Sequence, residues 1–430
     1  MKKYKSVYST VASSLLGNSL EFYDFVIYSF LLTHISKNFI PSSNILPPAV
    51  ASLLIFSLGY LSRPFASLLF GYIGDTLGRK TSLKYSILLT TVATATIGLT
   101  PSYESIGVCS TIILIICRIL QGISISGEEG GAVVFLSENF NRQRGLIGSL
   151  IQSSVFIGLL LGSCCCLLTT HFMEAEKFAA WGWRIPFITS IPIGLVSFLL
   201  RLYALDSTEF LNLKKTNMIL INPLSHLFKF HHSNLIRMAL LTCCFSVSSS
   251  ILVVFMPNYL SSNNDFDPST IFNITSSIFF IFILACPIAG YFSDKFGVSL
   301  ISKIGSLSTL FMGVPLVVGL AYFSTPYYIL LIMIIFLIPF SLTSASLFAV
   351  MVNTFPVNVR YTGVSLSYSI SAAIFGGLTP LAINRIEIII PAHLAAGAFV
   401  SLSGLISFLA LYKHKSLSVI NEERLIHEAI

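Results

Sequence analysis

Gly71-Tyr72-Ile73-Gly74-Asp75-Thr76-Leu77-Gly78-Arg79-Lys80 joins one long apolar run to the next through a tight, charged turn. A second copy, Gly290-Tyr291-Phe292-Ser293-Asp294-Lys295-Phe296-Gly297, stands 219 residues further on and shares the pattern G-Y-x-x-D-x-x-G. Another echo follows each copy: Arg144, Ser149 and Leu150 recur as Arg360, Ser365 and Leu366, each 216 residues later. Two echoes at nearly one offset, each at the same point of its half, mark a duplicated chain.

The residues around these turns define the solvent. Of 430 residues 54% are hydrophobic and only 10% charged, and the mean hydropathy is +0.84. A water-soluble domain usually carries about a quarter charged residues, so soluble enzyme, nucleic-acid binder and disordered chain are excluded. Twelve apolar runs are long enough to cross a bilayer, which takes about 20 residues each. They lie near 11–34, 48–72, 82–101, 106–136, 145–170, 183–203, 237–261, 270–292, 299–323, 327–352, 362–386 and 392–412. The sequence therefore predicts an all-α integral membrane protein of twelve transmembrane helices in two six-helix pseudo-repeats. Residues 1–203 form the first bundle, 204–236 a cytoplasmic linker, 237–412 the second bundle and 413–430 a short cytoplasmic tail. Parallel repeats in a membrane are the organisation of an alternating-access transporter, with its site between the halves.

Lysine and arginine set the direction across the membrane. The termini and the even-to-odd loops hold nineteen, Arg201 among them, and the opposite loops only Lys37, Lys177, Arg184 and Arg385. Both termini are thus expected in the cytoplasm, with a bacterial inner (plasma) membrane as the expected location. The +7 net charge then reflects topology and attraction to anionic lipid rather than a nucleic-acid partner. Trp181 and Trp183 are expected at the outer boundary. No cleavable signal is evident, because the first run is long and contains Glu21 and Asp24. The eight cysteines sit in apolar runs without CxxC spacing and are read as packing residues. His226, His231 and His232 are read as a solvated loop rather than a metal site, and no cofactor or metal is expected.

Ionisable side chains at bilayer depth are costly and mark a pathway by default. Glu21 and Asp24 share a face of the first span at i,i+3. Arg63 lies in the second span and Arg118 near the centre of the fourth. Glu128 and Glu129 follow on the fourth, rotated about 100° from one another, so they are not expected to face one cavity. Four acids against two arginines leave carboxylates over, and an unpaired carboxylate in a low-dielectric site tends to hold a proton. Phe22, Tyr23, Phe25 and Tyr28 flank the acids of the first helix as a cation–π surface for an ammonium group. The second half offers Asn273, Tyr368 and Asn384 but no deep charge, so coupling is assigned to the first.

The turn Gly71…Asp75…Gly78-Arg79-Lys80 resembles the signature of the major facilitator superfamily, and Asp294 its weaker copy. More narrowly, the chain resembles the metabolite:proton symporters, which include proline/betaine, shikimate, citrate and 2-oxoglutarate carriers. The matching segments are Leu16–Phe25, Arg63-Pro64, Arg118–Gly122 with Gly127-Glu128, Trp183–Phe187 and Arg360–Ser365. The proline/betaine carriers look closest. The chain departs from that branch at Phe22, where tryptophan is common, at Ser126-Gly127, often Gly-Gly, and at Glu129, often aromatic. About eighteen residues follow the last span, too few for a coiled coil, so osmotic activation is not expected.

The resemblance implies proton-coupled symport, with Glu21, Asp24 and Glu128 as coupling acids and Glu128 rather than Glu129 turned inward. Arg63, Arg118, Phe22, Tyr23 and Tyr28 are the candidate substrate contacts. Gly71, Asp75, Gly78, Arg79, Lys80, Glu138, Asp294 and Gly363 are the candidate gate. Asp75 is placed to meet the N-terminus of the eleventh helix, starting near Gly363, through its positive dipole end, and Arg79 to pair with Glu138. Gly158-xxx-Gly162 and Gly376-Gly377 are read as close helix packing.

Charge chooses the substrate. A site already in excess negative charge disfavours a dicarboxylate and suits a small zwitterion such as proline or a betaine, whose carboxylate can take a bidentate guanidinium. The alternatives are a proton symporter of a small carboxylate, a facilitative uniporter, and a membrane sensor built on the same fold. No enzyme is expected, for want of a nucleophile–base pair. The expected partners are a small-molecule substrate, protons as coupling ion and the bilayer, with no nucleic acid and no obligatory protein partner.

Overall fold

Inside a bilayer every backbone N–H and C=O must be paired within its own segment, so long apolar runs become helices. A computed structural model describes residues 2–41, 48–204, 206–263, 266–322 and 325–412. The short tail, 413–430, lies outside the described residues, as does Pro47.

The first half comprises α1 (Lys2–Phe30), α2 (Pro48–Thr76), α3 (Arg79–Leu99), α4 (Val108–Asn139), α5 (Arg144–Phe172) and α6 (Gly182–Tyr203). The second comprises α7 (His232–Ser261), α8 (Pro268–Phe296), α9 (Val298–Tyr322), α10 (Pro326–Thr354), α11 (Arg360–Ile386) and α12 (Ala392–Tyr412). Ten of these are long and apolar enough to cross a membrane. The other two are α1 and α2, which carry Glu21, Asp24 and Arg63. The polar stretch between the halves contains two short helices, Thr208–Lys215 and Pro223–Phe230, and α7 begins at His232, inside the stretch read as linker.

Small residues decide how closely helices approach. A methyl group at Gly158 would collide with the Ser19 carbonyl oxygen, so α5 lies directly on α1. The halves meet where α2 packs on α11 and α5 on α8. At the first crossing, a methyl group on Gly71 would reach within 2.8 Å of the Thr362 Cα, which only glycine permits. Gly78 turns the chain out of α2 with φ +117°, a left-handed value that favours glycine.

Two segments depart from α geometry: Ile251–Phe255 in α7 and Ala372–Gly376 in α11 are π-helical. Such segments recur at functional positions. Trp183, at the first turn of α6, is fully buried, edge-on to Phe39 and Phe187, while Trp181 is exposed. His231 is likewise buried rather than solvated, and no group of metal-ligating residues occurs among the described residues. All eight cysteines are free thiols.

Candidate functional site

Glu21 and Asp24 occupy successive turns of α1 and both are fully buried. Their i,i+3 spacing aims them at α3 and α4, whose hydroxyls receive them. Ser124 donates to Glu21 at 3.0 Å and Thr90 at 3.4 Å, and Thr94 donates to Asp24. One oxygen of each, Glu21 Oε2 and Asp24 Oδ1, has no hydrogen-bond partner among the described residues. Arg118 acts on Asp24 electrostatically and connects to it through Gln121: the guanidinium donates to Gln121 Oε1 at 2.8 Å, and Gln121 donates to Thr94 at 2.7 Å. Arg118 also stacks 4.0 Å over the ring of Tyr28. Glu21, Asp24, Thr90, Arg118 and Gln121 line a small pocket, with about 10 Å³ open to the centre of a water molecule.

The two glutamates of α4 part company, as 100° per residue requires, but in the opposite sense to the expectation. Glu128 turns into the first bundle, where Arg201 of α6 grips both its oxygens, one at 2.8 Å, and Ser86 donates at 2.7 Å. Arg201 is therefore not a loop cation; it is 2% exposed and pairs at depth. Glu129 turns instead toward the second half, facing Arg63 and the hydroxyl of Tyr368. The physical reason is local: a cation from α6 is available on the Glu128 side only.

A larger cavity opens between the halves, with about 60 Å³ open to the centre of a water molecule. Phe22, Phe25, Tyr60 and Arg63 line it from the first half, Phe245 and Tyr368 from the second. Arg63 is the one charged residue in that lining among the described residues, and its guanidinium lies 4.1 Å over the ring of Tyr60. Ser246, Ser249 and Ser250 add hydroxyls beside the π segment of α7. Of the candidate substrate contacts, Phe22 and Arg63 reach this cavity and Arg118 the smaller pocket. Tyr23 does not; its hydroxyl donates to the Pro186 carbonyl at 2.8 Å inside the first bundle. Tyr28 is covered by Arg118 and lines neither.

At the basic end of the bundle the halves are clasped twice. Asp75 accepts from the backbone N–H groups of Tyr361 at 3.1 Å and Thr362 at 3.0 Å, and from the Thr362 hydroxyl at 2.7 Å. It thus caps α11, which starts at Arg360, three residues before Gly363, as expected; Gly363 packs on the Phe355 ring. Asp294 repeats the arrangement on α5, accepting from Gly145 at 2.7 Å and Leu146 at 2.8 Å. Arg79 binds both oxygens of Glu138 at 3.1 Å, and Arg360 of the other half donates to the same carboxylate at 3.2 Å. The backbone N–H of Lys80 donates to Asp206 of the linker, while its ammonium group reaches the Leu202 carbonyl.

Comparison with known proteins fits this architecture. Residues 10–219 match the family described as "Sugar (and other) transporter". The glycine betaine/proline/ectoine/pipecolic acid transporter OusA of Dickeya dadantii is 30% identical over 388 residues, 86% of this chain and 75% of its own. The proline/betaine transporter of Escherichia coli K12 is 31% identical over 389 residues, 86% of this chain and 76% of its own. In structure, the major facilitator proton:xylose symporter XylE superposes with a TM-score of 0.79 at 18% identity, over 95% of this chain and 94% of that one. This chain belongs to the major facilitator superfamily. It is a multi-pass membrane transporter, not an enzyme, and its relatives in sequence are proline/betaine transporters.

Several residues of this major facilitator transporter escaped the sequence reading. Arg201 was hidden by its place near the end of a span, where a topogenic cation is ordinary. Tyr60, Phe156 and Phe245 were hidden among 35 phenylalanines and 17 tyrosines, with no spacing to set them apart. Glu209 of the linker stands in a polar stretch that gives it no mark, yet it pairs with Arg144 at 3.0 Å and also with Arg360. Its one signal in the sequence is the repetition of Arg144 as Arg360.

Proposed function

We propose that the chain is a proton-coupled symporter of a small zwitterion, such as proline or a betaine, working by alternating access with both termini in the cytoplasm. One observation carries the reading: the cavity between the halves offers a single cation, Arg63, among aromatic faces, while incompletely paired carboxylates stand immediately behind it. Arg63 receives the substrate carboxylate, and the rings of Phe22 and its neighbours receive the ammonium end. Glu21, Asp24 and Glu129 have oxygens free to take and release a proton. Glu128, held by Arg201, is a fixed counter-ion instead.

Charge supports the same substrate class. Apart from the clasp of Asp75, Arg79 and Glu138 at the basic end, the buried charges of the first half among the described residues are four carboxylates, Glu21, Asp24, Glu128 and Glu129, against three guanidiniums, Arg63, Arg118 and Arg201. One negative charge is in excess, so a dianion meets net repulsion and a zwitterion does not. The proline/betaine transporters among its relatives point the same way. The gate is the basic end, where Asp75, Asp294, Arg79 and Glu138 hold the halves together and release them on opening.

The test is uptake into proteoliposomes under an imposed pH gradient. Labelled proline or glycine betaine accumulates and a protonophore abolishes the accumulation. Asp24→Asn loses accumulation yet keeps exchange of pre-loaded substrate, and Arg63→Lys raises KM, because a point charge replaces a planar fork. Dicarboxylates displacing every zwitterion tested would refute the charge argument, and uptake indifferent to the gradient would leave a uniporter.

A further inference from the structure

The two cavities share a wall. Phe25, Tyr60 and Arg63 line both the space between the halves and the pocket of Glu21 and Asp24. Phe25 and Tyr60 meet edge-on, with centroids 5.5 Å apart and planes at 88°, and Arg63 covers the Tyr60 ring. The wall is thus a single aromatic layer contributed by α1 and α2. Arg63, Arg118 and Glu129 are the charged groups that face Tyr60.

The base of Tyr60 faces α11 of the other half across Gly377, which leaves about the room of a methyl group between them. A methyl group added to Gly377 of α11 would lie 3.6 Å from the Tyr60 Cβ and Cγ, ordinary contact distance. Gly377 follows directly on the π segment Ala372–Gly376, whose two ends line the cavity between the halves. A change in how α11 sits against α2 therefore acts first on this side chain. Substrate in the larger cavity would press on the same ring.

We propose that Tyr60 is a positioning residue: its ring is a shutter that separates the carboxylates of α1 from the cavity between the halves until α11 moves away from it. The proposal rests on the proton-symport reading above. With the shutter closed, no file of water connects Asp24 to the substrate cavity, so a proton cannot pass unless the halves rock. Withdrawal of α11 at Gly377 gives the ring room to swing and admits water to the acids. The aromatic surface does this work, not the hydroxyl, and Phe25 supplies the other leaf.

The full-length transporter, reconstituted into vesicles loaded with a pH-sensitive dye, provides the test. Tyr60→Ala is expected to raise the substrate-free proton leak about tenfold or more, a barrier lowered by at least one factor of ten in rate. Accumulation of labelled proline or glycine betaine falls with it, and because the leak is read without substrate, any change in substrate binding at the cavity wall does not enter that readout. Phe25→Ala opens the wall from α1 and is expected to leak likewise, and Tyr60→Phe, which keeps the ring, holds the gradient as the wild type does. Exchange-competent Tyr60→Ala and Phe25→Ala proteins that hold the gradient and accumulate normally would overturn the shutter, as would loss of exchange in both with no leak. A wild type that moves no protons with its substrate would overturn the symport reading itself, and that control tells the two failures apart.

Discussion

Arg144 and Arg360, equivalent residues of the two repeats, close on the two oxygens of one carboxylate, Glu209 of the linker helix. The relationship compensates for an asymmetry between the halves. Glu138 at the end of α4 receives Arg360, but the corresponding end of α10 presents only a neutral amide, Asn353, to Arg144. The linker therefore supplies an acid that the second repeat lacks. It joins the start of α5 to the start of α11, the two helices whose N-termini are capped across the interface by Asp294 and Asp75.

Removing that acid is expected to loosen the clasp modestly. Glu209 and Arg144 are partly exposed, and such pairs contribute up to about 1 kcal/mol, or roughly a fivefold shift in the open–closed balance. Glu209→Gln should leave substrate affinity unchanged and accelerate labelling of a cysteine introduced at Ser149, in a cysteine-free background, from the basic end. Unchanged labelling would remove the linker from the gate.

The two caps should not be equal. Asp75 is fully buried with three donors, whereas Asp294 is half-buried with two. A carboxylate at a helix N-terminus contributes about 0.5–2 kcal/mol, the upper end when desolvated. Asp75→Asn is therefore expected to slow transport up to about tenfold with little effect on substrate binding, and Asp294→Asn distinctly less. Uptake kinetics alongside equilibrium binding check both halves of the statement; equal losses would contradict it.

Glu128 and Arg201 form a buried pair, and breaking one side strands the other. Glu128→Gln is expected to destabilise the protein by about 3–5 kcal/mol, because Arg201 loses its counter-charge in the bundle. Replacing both by apolar residues, Glu128→Leu with Arg201→Met, should restore most of the thermal stability in detergent. If the double variant is no more stable than the single one, the pair is not the reason for the loss.

At the start of α7, burial holds the His231 imidazole below its ordinary 6.5, with His226 pushing the same way. The unfolded chain then binds a proton before the folded one as pH falls. Stability is complete above about 6.5 and declines as pH drops from there toward the folded value. Hydrogen exchange in the helix Pro223–Phe230 should quicken on acidification through this window, and His231→Gln should flatten the response.

The bilayer makes the fold of such a chain unusually legible. Twelve apolar runs, their breakers and the offset between Asp75 and Asp294 suffice to lay out the helices, because nothing but a helix satisfies an apolar segment's backbone in lipid. The cap of Asp75 on α11 and the pairing of Arg79 with Glu138 were legible for a related reason. A carboxylate kept at a helix end needs donors, and few positions supply them.

Composition and periodicity by themselves determined that this chain spans a membrane as two repeats and that its first half holds the buried charge. Which charges meet was decided only by tertiary structure. The direction of Glu128 or Glu129 depends on a cation from α6 two elements away, and no spacing within α4 contains that information. Tyr60 and Phe25 become a wall only because α1 and α2 cross where they do. In lipid, apolar side chains gain nothing from position along the sequence, so the close packing of whole helices selects the few that face the cavities.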